Sequence, residues 1–528
     1  MVIMGNKVAN RNTSFLIGAS FLLLSILIEL VCILQLNDGH FVYTLDDPYI
    51  HLALAENIHN GHYGVNSNEY SAPSSSILWP FALAPLSSTT HAEYIPLLIN
   101  LLAAIGTVYL YWKILNRSFR DDNAHRKVLL VSICLILLIL ATNVIGLVFT
   151  GMEHSVQLLL VVAIIWGLIL VIETGKVKPW LIVFIVVAPL IRYENMAVSL
   201  SAIIFLYLQR HRKLSAYSAV LLITFLGGFS VFLMQLGLKP IPTSVIAKSS
   251  VVSSSVSINI IMSNFMYNMN SSSGIFLASA LIGILFFAFF SKNRSGARHL
   301  AYIVVLSILL HLIFGRHGWY HRYEIYIWAI AIIALIYIYG DALRSLVIDD
   351  KIHKGIIKIL VISTLTVFLI CTPYIMSLIT IPVASNNIYE QHYQMHRFAV
   401  NYYDKPIAVD DIGYVSYRND NYVLDLTGLA SIDALIHRNS DDDPQWMNDL
   451  ANVHNVRFAM IYDNDRRELP VNWTKVGELH LGRRLITPAC RTVSFYVMDN
   501  QISSEILAVL HEYKNTLPSD VSFVFERY

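Results

Sequence analysis

Ser75-Ser-Ile-Leu-Trp-Pro-Phe-Ala-Leu-Ala-Pro-Leu-Ser87 is apolar enough to enter a membrane, yet short and interrupted by Pro80. An α-helix rises ~1.5 Å per residue, so it needs ~20 residues to cross ~30 Å of hydrocarbon. Whether this stretch crosses decides on which side everything after it lies. On its flanks, 14–36, 94–115, 128–150, 154–173, 215–236 and 356–379 read as full spans, and 180–191, 195–209, 274–290, 299–314 and 324–339 as shorter ones. The basic residues make the choice. If 75–87 stays on one side, every basic cluster joins Lys7 and Arg11 on the N-terminal side: Arg117/Arg120, Arg126/Lys127, Lys176/Lys178, Arg210/Arg212/Lys213, Lys292/Arg294/Arg298 and Arg344/Lys351/Lys354. If it crosses, all the later clusters move outside, against the positive-inside rule. The expectation is eleven spans, N-terminus in and C-terminus out.

Composition supports a membrane protein independently. The 528 residues are 55% apolar and only 14% charged, against about a quarter charged in an average soluble domain. A net charge of +1 gives no global attraction to nucleic acid. Abundant aromatics, with 24 Phe and 29 Tyr, exclude a disordered chain. Cys32, Cys134 and Cys371 lie in apolar runs and Cys490 stands alone, so neither disulfides nor zinc spacing organises the fold. The apolar run from Phe15 is about twice the length of a signal-peptide core and reads as a retained anchor.

This topology puts the chemically unusual residues on the outer side: 37–93, Gly151-Met-Glu153, Arg192-Tyr-Glu194, 237–273, Arg316 to Glu324 and everything after 380. The arm 180–191 makes only about 18 Å of helix, which sinks the Arg192-Tyr193-Glu194 tip below the outer surface. Ionisable groups at that depth need a partner or a watery cavity. A mutual Arg–Glu pair pinning two helices and the charged floor of a cavity both satisfy this. Arg316-His-Gly-Trp-Tyr-His-Arg-Tyr-Glu324 forms a second such tip, whose cations and aromatics suit an anion beside a sugar ring.

In the first outer loop, Asp47 is expected to cap a helix with Pro48 at its first position. That helix, running to His59, is expected to lie along the membrane interface. Capping leaves Asp46 unexplained. Two adjacent carboxylates suit a solvated turn, a general base with a supporting acid, or a divalent metal site.

Several motifs together resemble the GT-C class of membrane glycosyltransferases, in the bacterial branch that includes the mycobacterial terminal arabinofuranosyltransferases. They are Asp46-Asp-Pro-Tyr-Ile50, Ala55-Glu-Asn57, Gly61-His-Tyr-Gly64, Tyr70-Ser-Ala-Pro-Ser74, Arg192-Tyr-Glu194, Pro240-Ile-Pro-Thr-Ser244 with Ala247-Lys248, Asp411-Ile-Gly413 and Asp425-Leu-Thr-Gly-Leu429. Ile241, Thr243 and Tyr193 depart from that branch's usual residues. The resemblance implies a polyprenyl-phosphate sugar donor, a glycan, lipid-linked or protein acceptor, and an inverting displacement in a bacterial inner membrane. It implies Asp46 as the base, with Asp47 positioning it or holding a cation. Arg192, Lys248, Arg316 and Arg322 would meet the donor phosphate, with Tyr49, His51, Glu153, Glu194, His321 and Glu324 in support. No cofactor is required by these residues, and a divalent cation is compatible with them. Lys248 snorkelling at the interface and His317 and His321 as belt residues are the plainer readings of those side chains.

The expected organisation is a polytopic α-helical, GT-C-like membrane domain over 1–384 and an extracytoplasmic α/β domain over 385–528. Strands are expected at 407–409, 422–424, 458–461 and 493–497, and helices at 443–454 and 502–514. A secondary transporter or lipid flippase is the competing class. It fits less well, because the charged tips gather at one face and the chain shows no internal repeat. With single cysteines introduced into a cysteine-free chain, a membrane-impermeant maleimide should label Asn68→Cys and Ser519→Cys from outside intact cells. Lys176→Cys should label only after permeabilisation, and the reverse pattern would overturn the topology.

Overall fold

The computed structural model describes residues 2–119, 124–248, 258–290, 295–348, 371–440, 443–463, 468–499 and 503–526. Among them, seven helices are long and apolar enough to cross a membrane: Asn12–Leu36, Ala92–Ser118, Ala124–Ala141, His154–Thr174, Arg212–Gln235, Ser272–Phe290 and Gly296–Phe314. Pro179–Ile191, Tyr193–Leu208 and Ile325–Gly340 are apolar but shorter. Most of the expected span 356–379 lies outside the described residues. The protein is therefore a multi-pass helical membrane protein carrying a C-terminal sheet domain.

The stretch 75–87 packs against the helix Asp47–His59. It forms only Leu78–Leu83 and a single tighter turn, Ala84–Leu86, with Trp79 buried beneath them. The expected span 128–150 is broken. The helix ends at Ala141, Asn143 takes a left-handed φ of 44°, and a separate buried helix Val144–Phe149 follows. Asparagine tolerates that conformation better than the β-branched and leucine residues around it, which is why the break falls there.

The first-loop helix Asp47–His59 also differs from expectation. Its residues from Pro48 to Ala55 are all buried, between the sheet domain and the 78–86 stretch. Tyr49 stacks on Tyr414 with ring centroids 3.8 Å apart. The helix is an internal strut, buried on the face its sequence pattern left to the surface. Nor does Asp47 cap it: Asp46 occupies the cap position, and no side chain makes a capping bond.

Ile381–Ile388 continues without a break through wider turns at Tyr389–Tyr393 and Phe398–Tyr403, so the expected boundary at 384/385 falls within one helix. Asn37 donates to Ser385 at 3.0 Å and Asn386 donates to the Leu36 carbonyl at 3.0 Å, fastening this helix to the end of the first span.

The sheet has six strands: β1 (Ile407–Val409), β2 (Val423–Asp425), β3 (Phe458–Ile461), β4 (Thr474–His480), β5 (Thr492–Val497) and β6 (Ser522–Phe525). Their order is β2-β1-β3-β5-β4-β6, with β1 parallel to β2 and β3 and the other pairs antiparallel. Alternate side chains face opposite ways along a strand. Ile407, Val409, Phe458, Met460, Phe495 and Val497 join the core that continues into the bundle, while Ala408, Leu424, Ala459, Ile461 and Tyr496 form a second core on the other face, with Trp446 and Met447. At the β2 edge, the Asn66 amide donates to the Val423 carbonyl (3.0 Å) and accepts from its N–H (2.9 Å). A first-loop side chain thus takes the place of a neighbouring strand on an otherwise unpaired edge.

Candidate active site

The chain reaches the site through 40–46. The Thr44 N–H donates to the Phe149 carbonyl at 3.1 Å, and the Tyr43 N–H donates to the Tyr49 hydroxyl at 3.1 Å. Gly151, with φ 66°, lets this segment approach closely, since a Cβ there would sit 2.7 Å from Pro48 and the Tyr43 ring.

At the helix start the two aspartates part. The partly buried Asp46 carboxylate accepts from the Gly413 N–H (2.7 Å) and the Tyr414 N–H (2.8 Å), at the end of β1's loop in the sheet domain. Burial pushes its pKa up to about 6, with His392 and the two amides opposing that shift. Asp47 instead pairs with Arg322. The two carboxylates therefore bond different partners. Among the described residues, no group of three or more His, Cys, Asp or Glu side chains could hold a metal ion.

The two charged tips meet around one ring. Arg192 lies 5.5 Å and Arg322 5.0 Å from the Tyr323 ring centroid. Both guanidiniums are buried, but their hydrogen bonding differs. All three Arg192 nitrogens are engaged: Nη1 with Glu153 (2.6 Å), Nη2 with Glu194 (2.6 Å) and Nε with Glu194 (3.2 Å). For Arg322, only Nη2 is engaged, with Asp47 and the Tyr323 hydroxyl; Nε and Nη1 have no partner among the described residues.

The other expected groups fall into place around this pair. His51 Nε2 stands 3.8 Å from Glu153. Glu324 accepts from the Gly318 N–H (3.0 Å) and the Tyr374 hydroxyl (3.4 Å), with His321 at 3.5 Å. These contacts hold a turn in which Gly318, Trp319, Tyr320 and His321 all have φ between 46° and 88°. For non-glycine residues such a run is costly, about 1–3 kcal/mol each, and persists only where neighbours over-determine it. Tyr49 is part of the sheet-domain contact and not of this cluster. Arg316 is exposed. Lys248 ends the short helix Thr243–Lys248 beside Ser244, and its side chain lies outside the described part.

Three adjoining cavities share these walls. One of about 330 Å³ runs among Leu200, Val245, Leu310 and Phe314 and ends at Arg192, Arg316 and Tyr323. A larger one, about 800 Å³, shares Arg316 and Tyr323 with it and adds Arg322, Asp47, Trp319 and Asp411. A small alcove of about 70 Å³ shares Asp47, Trp319, Asp411 and Leu429 and reaches Asp46 and His392.

Sequence reading assigned no role to His392 or Tyr462. Asp411 Oδ2 accepts from the Tyr462 hydroxyl at 2.6 Å, and His392 Nε2 lies 3.0 Å from it. The Asp46 and Asp411 carboxylates raise the His392 pKa despite burial. Asp411 follows β1, and Tyr462 follows the parallel neighbour β3, with β2 on the other side of β1. Crevices beyond the carboxyl ends of parallel strands, where strand order reverses, are where such sheets bind ligands. The paired Asp410-Asp411 after a short apolar strand was the available signal.

Residues 386–496 match a family described as a domain of unknown function, DUF8728. No curated protein sequence matches the chain. Among solved structures, the zinc- and sulfate-bound crystal structure of the Archaeoglobus fulgidus oligosaccharyltransferase is similar over 83% of this chain and 67% of its own, at 12% identity and a TM-score of 0.43. Its apo form covers 83% and 69% at 11% identity, also with a TM-score of 0.43. A likeness of that size does not establish a shared fold, and the functional reading rests on this chain's own residues.

Gly413 is where the two parts of the site touch, since a Cβ there would run into the Asp46 carboxylate and carbonyl. Gly413→Ala should therefore destabilise the protein by about 1–3 kcal/mol and open the sheet domain to limited proteolysis. An unchanged melting temperature and digest would mean the contact does not hold the domain.

Proposed function

We propose that the chain is a membrane glycosyltransferase of the GT-C class, moving a sugar from a polyprenyl-phosphate donor to a hydroxyl acceptor outside a bacterial plasma membrane. The observation that carries this reading is Arg322. Its guanidinium is 1% exposed, and two of its nitrogens lack partners among the described residues at the wall of the larger cavity. A buried donor left unsatisfied is costly, so the arrangement calls for an anionic ligand. The apolar cavity next door suits an isoprenoid chain.

In this proposal the donor phosphate bridges Arg322 and Arg316. The acceptor oxygen attacks the anomeric carbon as the bond from that carbon to the phosphate oxygen breaks, inverting the configuration. The electron pair leaves with the polyprenyl phosphate, whose growing charge the guanidiniums stabilise. The acceptor proton passes to Asp46. Each Asp46 oxygen accepts one amide bond and keeps a second lone pair, and a pKa of about 6 makes it a stronger base than an ordinary carboxylate. Arg192, each of whose nitrogens already bonds Glu153 or Glu194, supports Tyr323 from the neighbouring cavity's wall and leaves the main phosphate contact to Arg322.

The purified protein in lipid nanodiscs, given radiolabelled polyprenyl-phosphate pentoses and hexoses with a mixed cell-envelope acceptor fraction, should transfer label to glycan. No transfer from any donor would refute the reading. Arg322→Gln should weaken donor binding about tenfold to a hundredfold, the ~1.5–3 kcal/mol of a charge-assisted hydrogen bond, while Asp46→Asn should abolish transfer and leave donor binding intact.

The base must be ionised to act. The transfer rate should therefore rise with pH through about 6 and level off above it. Because His392 stands beside Asp46, the limb belongs to the pair. A profile flat from pH 5 to 8 would remove Asp46 as the proton acceptor.

A further inference from the structure

We infer that Trp319 and Asp411 form a saccharide subsite, shared between the helical part and the sheet domain, that binds a neutral sugar ring of the acceptor. The inference rests on the transferase reading for its meaning, but its observations are separate. Trp319 is 56% exposed, unusual for so large an apolar side chain, and it lines both the larger cavity and the alcove. It sits in the left-handed run from Gly318 to His321, with φ 46°. Glu324 fixes that run through the Gly318 N–H, and the Tyr320 hydroxyl fixes it through the Ser377 carbonyl at 2.7 Å. A strained turn that spends its conformation on presenting an aromatic face to a cavity is built for a ligand.

Asp411 lines the same two cavities. Both of its hydrogen bonds, from Tyr462 and His392, fall on Oδ2, and among the described residues none falls on Oδ1. One carboxylate oxygen is thus pinned and the other is available to accept from a ligand hydroxyl. An aromatic face covers the apolar C–H face of a pyranose or furanose, and a pinned carboxylate takes its hydroxyls. Leu429, held by the loop that Asp425 organises through the N–H groups of Thr427, Gly428 and Ala430, closes the side between them. The chemistry favours a neutral ring: an acidic sugar would meet Asp46, Asp47 and Asp411 together.

The test is a glycan array of neutral and acidic oligosaccharides, probed with fluorescently tagged full-length protein in detergent. Wild type should bind a set of neutral glycans saturably. Trp319→Ala and Asp411→Asn should each lose at least tenfold on that same set, while Trp319→Phe, which keeps a ring, should retain it. Because Trp319 is exposed, its replacement leaves the core intact, and a loss there reads the subsite directly. No saturable glycan binding, or binding that both variants preserve, would overturn the subsite. Glycan binding lost in these variants, in a protein that transfers no sugar from any polyprenyl-phosphate donor, would uphold the subsite and sink the transferase reading alone.

Discussion

Two neighbouring carboxylates at the start of one helix face different halves of the molecule, and the site exists because they do. Asp46 accepts two amides from the sheet domain, and Asp47 holds a guanidinium from the bundle. Successive side chains at a helix start diverge by about 100°, so adjacent positions suffice for one helix to bind both halves. The buried charge on Asp46 is disfavoured by its surroundings, and the two backbone bonds offset part of that cost. Removing either partner would leave charge uncompensated in a poorly solvated place. The loop after the first span is thus a strut between the two halves, and this explains why its helix is buried from Pro48 to Ala55 when its sequence pattern suggested a surface helix.

Where burial alone dictated structure, the sequence was readable. The long apolar helices and the strands near 407, 423, 458 and 492 all follow from runs of apolar residues with nowhere else to go. β4 and β6 were missed because Thr474–His480 and Ser522–Phe525 mix polar with apolar residues and lie toward the sheet's outer side, where hydrophobic pattern weakens. The break at Asn143 was missed because hydropathy averages over a single left-handed residue. Asp46, Asp47 and the two arginine tips were singled out from residue type and depth, as was the local Arg192–Glu194 pair, but their distant partners were not. Which arginine meets which carboxylate depends on helices brought together from distant parts of the chain, as with Arg322 and Asp47. His392 carried no local mark at all: it lies in a helix whose meaning appears only when Asp46 and Asp411 arrive from elsewhere.

The two buried arginines show how the same residue type divides between structure and chemistry. Two guanidiniums around Tyr323 face Glu153, Glu194 and Asp47, so this inner cluster already holds one more negative than positive charge. A further anion is not drawn there by net charge. It is accepted best where nitrogens lack any partner: every Arg192 nitrogen already bonds a carboxylate, while Arg322 has two nitrogens without a partner among the described residues. The exposed Arg316, shared by the two larger cavities, supplies one compensating positive charge. That balance suits a singly charged phosphodiester better than a nucleotide diphosphate, whose additional charge would add to that of Asp47 and Asp411 at the same cavity. By bonding every Arg192 nitrogen, Glu153 and Glu194 do more than pin a hairpin: they offset that guanidinium's charge at the cavity wall and so limit how much negative charge a ligand there can carry.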